Sequence, residues 1–331
     1  MVLNMCWRNT VFPLFLLIVV FLTVMPVYGG SRIGRISSFV VYYGGDRIEE
    51  LRKFDLAILS PLLEDEVVEL NNYGVITVGY VSLTTVGGWE PWAKNVSDDM
   101  VVGSYVEWGE KIVNACDYRW EKILLNHAIP YVLGKGFKGV FLDNLDMVDN
   151  YPFMKNCVIG LIRSIREKHP NIIIVVNRGF TIAEDIAPYV DAVLFESFGT
   201  YYDFSRKQYL KWSGSDYVWM VNVTKKLREL SMKYGIMVLA LGYADLNNKT
   251  MLNEYCRYVS SLASKYGFLS YVGNIYLDKV NTMYLSFIKN YNIEKGKGVQ
   301  KIGYADNIYF LILSITITFI AVFIVVWLRK K

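Results

Sequence analysis

Residues Gly136–Asp146 read GFKGVFLDNLD, and the fold turns on how this stretch ends. Gly136 and Gly139 bracket Phe137-Lys138, and Val140-Phe141-Leu142 follows as a buried strand would. The run then closes in Asp143-Asn144-Leu145-Asp146, two carboxylates and an amide within four residues. A carboxylate that ends an apolar run is partly desolvated, and it costs stability unless it is paired or hydrogen-bonded. Glu196 stands in the same relation to Val193-Leu194-Phe195. A buried strand with a polar end is the unit from which a parallel barrel is built.

Working outward, seven more runs of strand length share this character. The set is Ser38–Tyr43, Asp55–Ser60, Val75–Ser82, Lys138–Asp143, Ile172–Asn177, Asp191–Glu196, Ile236–Leu241 and Leu269–Tyr276. They are continuous β-branched runs rather than alternating ones, as parallel strands covered on both faces require. Amphipathic stretches at Asp65–Asn72, Asp117–Leu133, Phe153–Lys168 and Asn247–Tyr266 predict helices between them. Eight such repeats over residues 31–291 give the size and rhythm of an α/β fold of the (β/α)₈ or TIM-barrel type. The alternative is an open doubly wound sheet, but Tyr43-Gly44-Gly45-Asp46 lacks the GxGxxG spacing of a nucleotide loop. Two segments read as long loops: Thr84–Glu110, with Trp89, Trp92 and Trp108, and Gly199–Gly235, with Tyr201, Tyr202, Tyr209, Trp212, Tyr217 and Trp219. Loops this aromatic are functional rather than disordered.

The ends predict a membrane attachment. After Arg8, Thr10–Tyr28 carries no charge, and Val27-Tyr28-Gly29 resembles a signal-peptidase site, so residues 1–30 read as a signal peptide or N-terminal anchor. Residues 292–307 read as a linker and 308–328 as an uncharged run followed by the basic tail 329–331. At ~1.5 Å per residue the run crosses a hydrocarbon core of ~30 Å. Basic flanks stay on the cytoplasmic side, which places the barrel outside the cell membrane with the lipid bilayer as its partner. Three sequons, at Asn95, Asn222 and Asn248, agree with that placement. The net charge of +4 is spread along the chain, so no nucleic-acid groove is expected. Loss of Cys6 with a signal peptide leaves Cys116, Cys157 and Cys256, an odd count without CxxC spacing. That predicts small buried residues rather than a disulfide framework or metal site, with a single bridge left open.

In such a barrel, chemistry sits at the C-terminal strand ends. The polar residues there are Tyr42, Tyr43, Ser60, Tyr80, Ser82, Asp143, Asn144, Asp146, Asn177, Glu196, Tyr243, Asp245, Asn274 and Tyr276. A lone strand-end carboxylate often pairs with a base or caps a helix. Two of them converging from strands four and six are what glycosidic cleavage needs, one protonated and one ionised. Serine or cysteine catalysis lacks support, because His127 and His169 fall on predicted helices away from the strand ends. No cofactor is expected. Metal chemistry lacks His or Cys ligands, and an oxygen-ligated Ca²⁺ or Mg²⁺ at Asp143 and Asp146 is the remaining alternative. Loop Trp and Tyr rings would stack on the apolar faces of sugar rings.

One series of motifs runs in order through the chain: Asp117-Tyr118-Arg119, then GFKGVFLDNLD, Asn177-Arg178-Gly179, Glu196-Ser197 and Tyr243-Ala244. It resembles glycoside hydrolase family 114, the endo-α-1,4-polygalactosaminidase-like group of (β/α)₈ barrels, whose members carry D-x-R, GFDGVFLDNVD, NxG, ES and YA. The resemblance covers about residues 38–285. It implies that Asp143 and Glu196 are the catalytic pair, with Asp143 as nucleophile and Glu196 as acid/base. It also implies that Tyr80, Asp146, Asn177 and Tyr243 bind a polysaccharide substrate. Tyr43, Asn144, Tyr201 and Asp245 join them as sugar-contact candidates from the strand ends and the aromatic loop. An amino-sugar polymer suits an anionic cleft, since its free amine is cationic. Three positions depart from the family pattern. Tyr80-Val81-Ser82-Leu83-Thr84-Thr85 replaces Y-x-S-x-G-E, Ser60 replaces an acid, and Lys138 replaces the GFDG aspartate. The first two fall at the expected mouth, so the resemblance carries the reaction and not the sugar. A catalytically silent carbohydrate-binding or envelope-structural barrel is the alternative function.

Overall fold

The computed structural model describes residues 32–288. The signal or anchor segment (1–30), the linker and membrane region (292–328) and the tail (329–331) lie outside them. Among the described residues no helix is long and apolar enough to cross a membrane.

In chain order the strands are β1 (Phe39–Tyr42), β2 (Leu56–Leu59), β3 (Ile76–Ser82), β4 (Thr85–Val86), β5 (Val101–Tyr105), β6 (Glu110–Val113), β7 (Gly139–Asp143), β8 (Ile173–Asn177), β9 (Ala192–Glu196), β10 (Thr200–Asp203), β11 (Gln208–Lys211), β12 (Met237–Tyr243) and β13 (Leu269–Gly273). The helices are α1 (Ile48–Leu51), α2 (Asp65–Asn72), α3 (Tyr118–Ile123), α4 (Ile129–Gly134), α5 (Met147–Asn150), α6 (Lys155–Lys168), α7 (Ala183–Ile186), α8 (Gly214–Tyr234) and α9 (Lys249–Lys265).

Eight strands form one parallel sheet in the order β1-β2-β3-β7-β8-β9-β12-β13. The order never reverses, which excludes the doubly wound alternative. The sheet curls into a near-closed barrel. Just beyond β1 and β13, Tyr43 N donates to Leu277 O at 2.8 Å across the seam. Every residue of β1, β2 and β8 is buried, which is why these strands read as unbroken apolar runs.

Within GFKGVFLDNLD each glycine has its own task. Gly136 turns the chain out of α4 at φ +93°, a conformation that L side chains rarely adopt. Gly139 opens β7, where an added Cβ would lie 2.0 Å from the Ile173 carbonyl oxygen on β8. The glycine therefore lets β7 and β8 pair closely. Lys138, in the place of the family aspartate, is exposed at the start of the strand, away from the mouth.

Four expectations need correction. Asp117–Leu133 is not one helix: α3 and α4 are joined by a π turn at Leu124–Ala128. Pro130 has no N–H to give to the preceding turn, and the wider turn accommodates it. Thr84–Glu110 is not an open loop, because β4, β6 and β5 form a small antiparallel sheet within it. Gly199–Gly235 holds the β10–β11 hairpin and the 21-residue α8. Its buried stripe, Met220, Thr224, Leu227 and Leu230, is short of large residues beside the flanking rings, so aromatic content masked the period. Lastly, Cys116 and Cys157 form a disulfide that ties the β6–α3 connection to α6, and Cys256 alone is free and buried among the described residues. That pairing depends on how the helix docks, which sequence spacing does not encode.

Candidate active site

The C-terminal ends of the barrel strands open into a cavity of about 890 Å³. Strand register brings its polar groups to one level. Ser82 on β3 lies beside Asp143 on β7, and Glu196 on β9 lies beside Leu241 on β12. The residue after each of three site residues takes a left-handed conformation: Asn144 (φ 62°) after Asp143, Arg178 (φ 55°) after Asn177, and Ser197 (φ 60°) after Glu196. Such backbone is costly for residues other than glycine and persists where the surroundings enforce it. Here it breaks each strand immediately beyond the side chain that faces the cavity.

Asn177 joins the two carboxyls. Its Nδ2 donates to Asp143 Oδ1 at 2.8 Å and to Glu196 Oε2 at 2.7 Å. Two hydrogen bonds from one NH₂ group set those oxygens about 5 Å apart. Asp143 Oδ1 also accepts from Asn144 N (2.7 Å), and Glu196 Oε1 accepts from the Tyr243 hydroxyl (2.7 Å). Burial, and then the charge of Glu196, raise the Asp143 carboxyl to about 7. Burial also raises Asp146, although the Arg178 guanidinium, 3.2 Å from its Oδ2, opposes that. The Tyr43, Tyr80 and Tyr243 phenols are pushed well above their usual range, first by burial and then by the nearby carboxylates. They stay neutral donors. Asn177 Oδ1 is buried with no hydrogen-bond partner among the described residues.

Hydroxyls from β3 and β4 hold Asn144. Its Nδ2 donates to Ser82 Oγ (3.0 Å) and Thr85 Oγ1 (2.9 Å), and Thr85 Oγ1 donates to Glu110 Oε2 (2.6 Å). Thr84 Oγ1 donates to the Asn144 carbonyl at 2.6 Å. Glu110 is raised by burial, with the Thr85 hydrogen bond acting against the shift. Glu90, more deeply buried nearby, is raised to about 8.

Of the site residues expected from sequence, Asp143, Asn144, Asp146, Asn177, Glu196, Tyr43, Tyr80, Tyr201 and Tyr243 all line the cavity. Asp245 does not. Its Oδ1 accepts from Asn247 N (2.9 Å) and shapes the turn leading to α9. Asp146 Oδ2 lies 3.2 Å from Arg178 Nε. Tyr201 lies stacked on Trp212, centroids 4.0 Å apart at 16°, so one of its faces is already covered. Glu110, Tyr105, Arg178 and Phe204 also line the cavity and were not singled out in the sequence. Arg178, next to Asn177 on a strand end, was within reach of that reasoning. Glu110 was not, because only the pairing of β6 in the antiparallel insert returns it to the mouth.

A parallel barrel with polar groups gathered at the C-terminal ends of its strands has the architecture of the glycosidase barrels. The chain belongs to glycoside-hydrolase family GH114, whose model matches residues 53–287. Among solved structures it is similar to the glycoside hydrolase domain of PelA from Pseudomonas aeruginosa, at 21% identity and a TM-score of 0.63. That match covers 74% of this chain and 98% of the other. It is also similar to Aspergillus fumigatus Ega3, solved in complex with galactosamine, at 16% identity and a TM-score of 0.56, covering 73% and 93%. At such identities these likenesses speak for the fold. No curated protein matches the chain.

Proposed function

We propose that this barrel hydrolyses the glycosidic bonds of an amino-sugar polysaccharide by double displacement, using Asp143 and Glu196. The observation that carries this reading is the bridge through Asn177, whose single NH₂ group contacts both carboxyls. A spacing of about 5 Å suits a retaining mechanism, in which one carboxyl attacks the anomeric carbon while the other protonates the leaving oxygen. In the empty cleft burial, and then the Glu196 charge, hold a proton on Asp143 up to about pH 7. On sugar binding that proton passes to Glu196, which leaves the ionised Asp143 as the nucleophile. Glu196, oriented by Asn177 and Tyr243, gives the proton to the departing oxygen and then removes one from water. Asn177 Oδ1 accepts from the sugar, which satisfies its lone buried acceptor.

The cleft wall carries Asp143, Asp146, Glu196, Glu110 and Asp216 against Arg178 alone, a balance that favours a cationic sugar. The galactosamine bound to Ega3 supports an amino sugar here too. The protein is held outside the membrane by its terminal apolar segments. The Cys116–Cys157 disulfide fits that oxidising side, and the three sequon asparagines are exposed.

The test incubates the protein with α-1,4-linked galactosaminan and a panel of other glycans, following new reducing ends. Asp143→Asn and Glu196→Gln are expected to cut the rate by about 10²–10⁴-fold while binding persists. If no glycan yields reducing ends, or either variant retains the native rate, the hydrolase reading fails.

A further inference from the structure

Among the described residues five carboxyls line the cavity, and four of them have an evident place. Asp143 and Glu196 share the amide of Asn177. Asp146 lies beside the Arg178 guanidinium, and Asp216 is exposed in the first turn of α8. Glu110, at the start of β6, is the fifth. It is partly buried, and its carboxyl is shifted by burial and by the Thr85 hydrogen bond alone, so among the described residues no base neutralises it. A partly desolvated carboxylate without a counter-charge costs stability unless a ligand supplies one.

The hydrogen bonds around Glu110 run in one direction and end on its charge. Thr85 has a single hydroxyl proton, which goes to Glu110 Oε2 at 2.6 Å. The contact of 2.6 Å between Ser82 Oγ and Thr85 Oγ1 is therefore donated by Ser82. Asn144 Nδ2 donates to both hydroxyl oxygens. The series fixes one oxygen of Glu110, and among the described residues the other, Oε1, has no hydrogen-bond partner. Tyr105, opposite Glu110 in the β5–β6 register, lines the cavity beside it. A held carboxylate with an aromatic neighbour is a seat for a cation.

The place of that seat identifies the cation. Asn144 directly follows Asp143 and is tied through Thr85 to Glu110, so Glu110 stands on the Asp143 side of the carboxyl pair. In the double displacement above, Asp143 bonds to the anomeric carbon, and the amine of a 2-amino sugar sits on the adjoining carbon. Arg178, beyond Asn177 on the cavity wall, would repel an ammonium on its own side. We propose that Glu110 is the specificity-determining residue for the attacked sugar, its free oxygen pairing with the 2-ammonium group of a hexosamine. An N-acetylated unit is neutral and bulkier, and it leaves Glu110 unpaired. Because β6 belongs to the antiparallel insert, this selection is made by the insert and not by a barrel strand. The assignment rests on the hydrolase reading above.

The experiment uses the full chain and α-1,4-linked galactosamine oligosaccharides of one length, either with free amines or fully N-acetylated. Both are assayed for kcat/KM, and binding of both is measured in Glu196→Gln with and without Glu110→Gln. Glutamine keeps the shape of Glu110 and an acceptor for Thr85, and removes the charge alone. The native protein should prefer the free amine by at least about tenfold, and Glu110→Gln should lower that ratio at least about tenfold. Asp216→Asn removes an equal charge from the rim and should lower it far less. In Glu196→Gln, the free-amine oligosaccharide should also move the Glu110 carboxyl ¹³C titration to lower pH, a readout that needs no substitution at Glu110. Equal use of both oligosaccharides by the native protein would overturn the assignment and leave the hydrolase reading standing. A ratio that Glu110→Gln leaves alone, or that Asp216→Asn lowers as much, would do the same. Amine-selective binding that Glu110→Gln abolishes, without hydrolysis by the native protein, would overturn the hydrolase reading and leave Glu110 standing. Absence of both cutting and binding would overturn both.

Discussion

Asn177 offers one NH₂ group to two carboxyls, and burial, more than the Glu196 charge, sets how Asp143 titrates. Asp143, raised to about 7 against an ordinary value of 3.8, keeps its proton through the acid range and loses it as pH rises through neutrality. A two-carboxylate mechanism needs one proton on the pair, so kcat/KM is expected to fall above pH ~7. In Glu196→Gln the neighbouring charge is gone, and Asp143 should titrate lower while burial still holds it above its ordinary value. Carboxyl ¹³C shifts followed against pH check this, and an unmoved titration would refute the coupling. Stability follows the same sign. Between the unfolded value and about 7 the folded protein binds a proton that the unfolded chain has lost, so stability declines as pH rises through that window. Asp143→Asn removes the decline and should stabilise the protein at pH 8 by about 1–2 kcal/mol. Asp143, Asn177 and Glu196 were legible in the sequence because each ends a buried run at the same barrel level. Asp245 lies just past such a run too, but it does not line the cavity, and its Oδ1 accepts from Asn247 N in the turn that follows.

At the scale of elements, the eight barrel strands were visible because burial on both faces leaves unbroken β-branched runs that need no partner information to be recognised. Elements whose burial depends on a neighbour were hidden. The strands of the β4–β6–β5 sheet are only two to five residues long, too short for a period to show. The disulfide belongs with these hidden features. Its two cysteines lie 41 residues apart, and docking of α6 brings them together. Closing a loop of that length restricts the unfolded chain by about 4 kcal/mol in the chain-entropy account, with measured cases commonly at about 2–4 kcal/mol. Cys116→Ser, or reduction with a thiol, should lower stability by that amount. Denaturant titration with and without reductant measures it, and equal midpoints would show that the bridge carries no stability. The β6–α3 connection that it anchors leads directly from the strand supplying Glu110, so thiol treatment should also loosen that wall of the cleft.

For the whole molecule, the two ends of the barrel are built on opposite terms. The mouth crowds carboxyls together and breaks three strands at left-handed residues, whereas the opposite end holds a buried ion pair. There Asp191 accepts from Arg166 Nη2 (2.6 Å), Arg32 Nη1 (3.0 Å) and Ile174 N (2.8 Å). Arg166 in turn donates to the backbone carbonyls of Tyr189, Pro170 and Ile172. One buried ion pair thus ties the N-terminal segment, α6, β8 and β9 at the barrel floor. Removing only one partner leaves a buried charge uncompensated, so Asp191→Ala should cost about 3–5 kcal/mol. Asp191 directly precedes β9 and Glu196 ends it. At ~3.3 Å per residue the strand keeps them roughly 16 Å apart. Loss of the floor should therefore lower the melting temperature while leaving kcat/KM per folded molecule unchanged, when assayed well below that temperature. Calorimetry paired with oligosaccharide hydrolysis separates the two effects. A drop in kcat/KM matching that in stability would mean that the carboxyl geometry depends on the whole barrel closing, and not on the strand ends that present it.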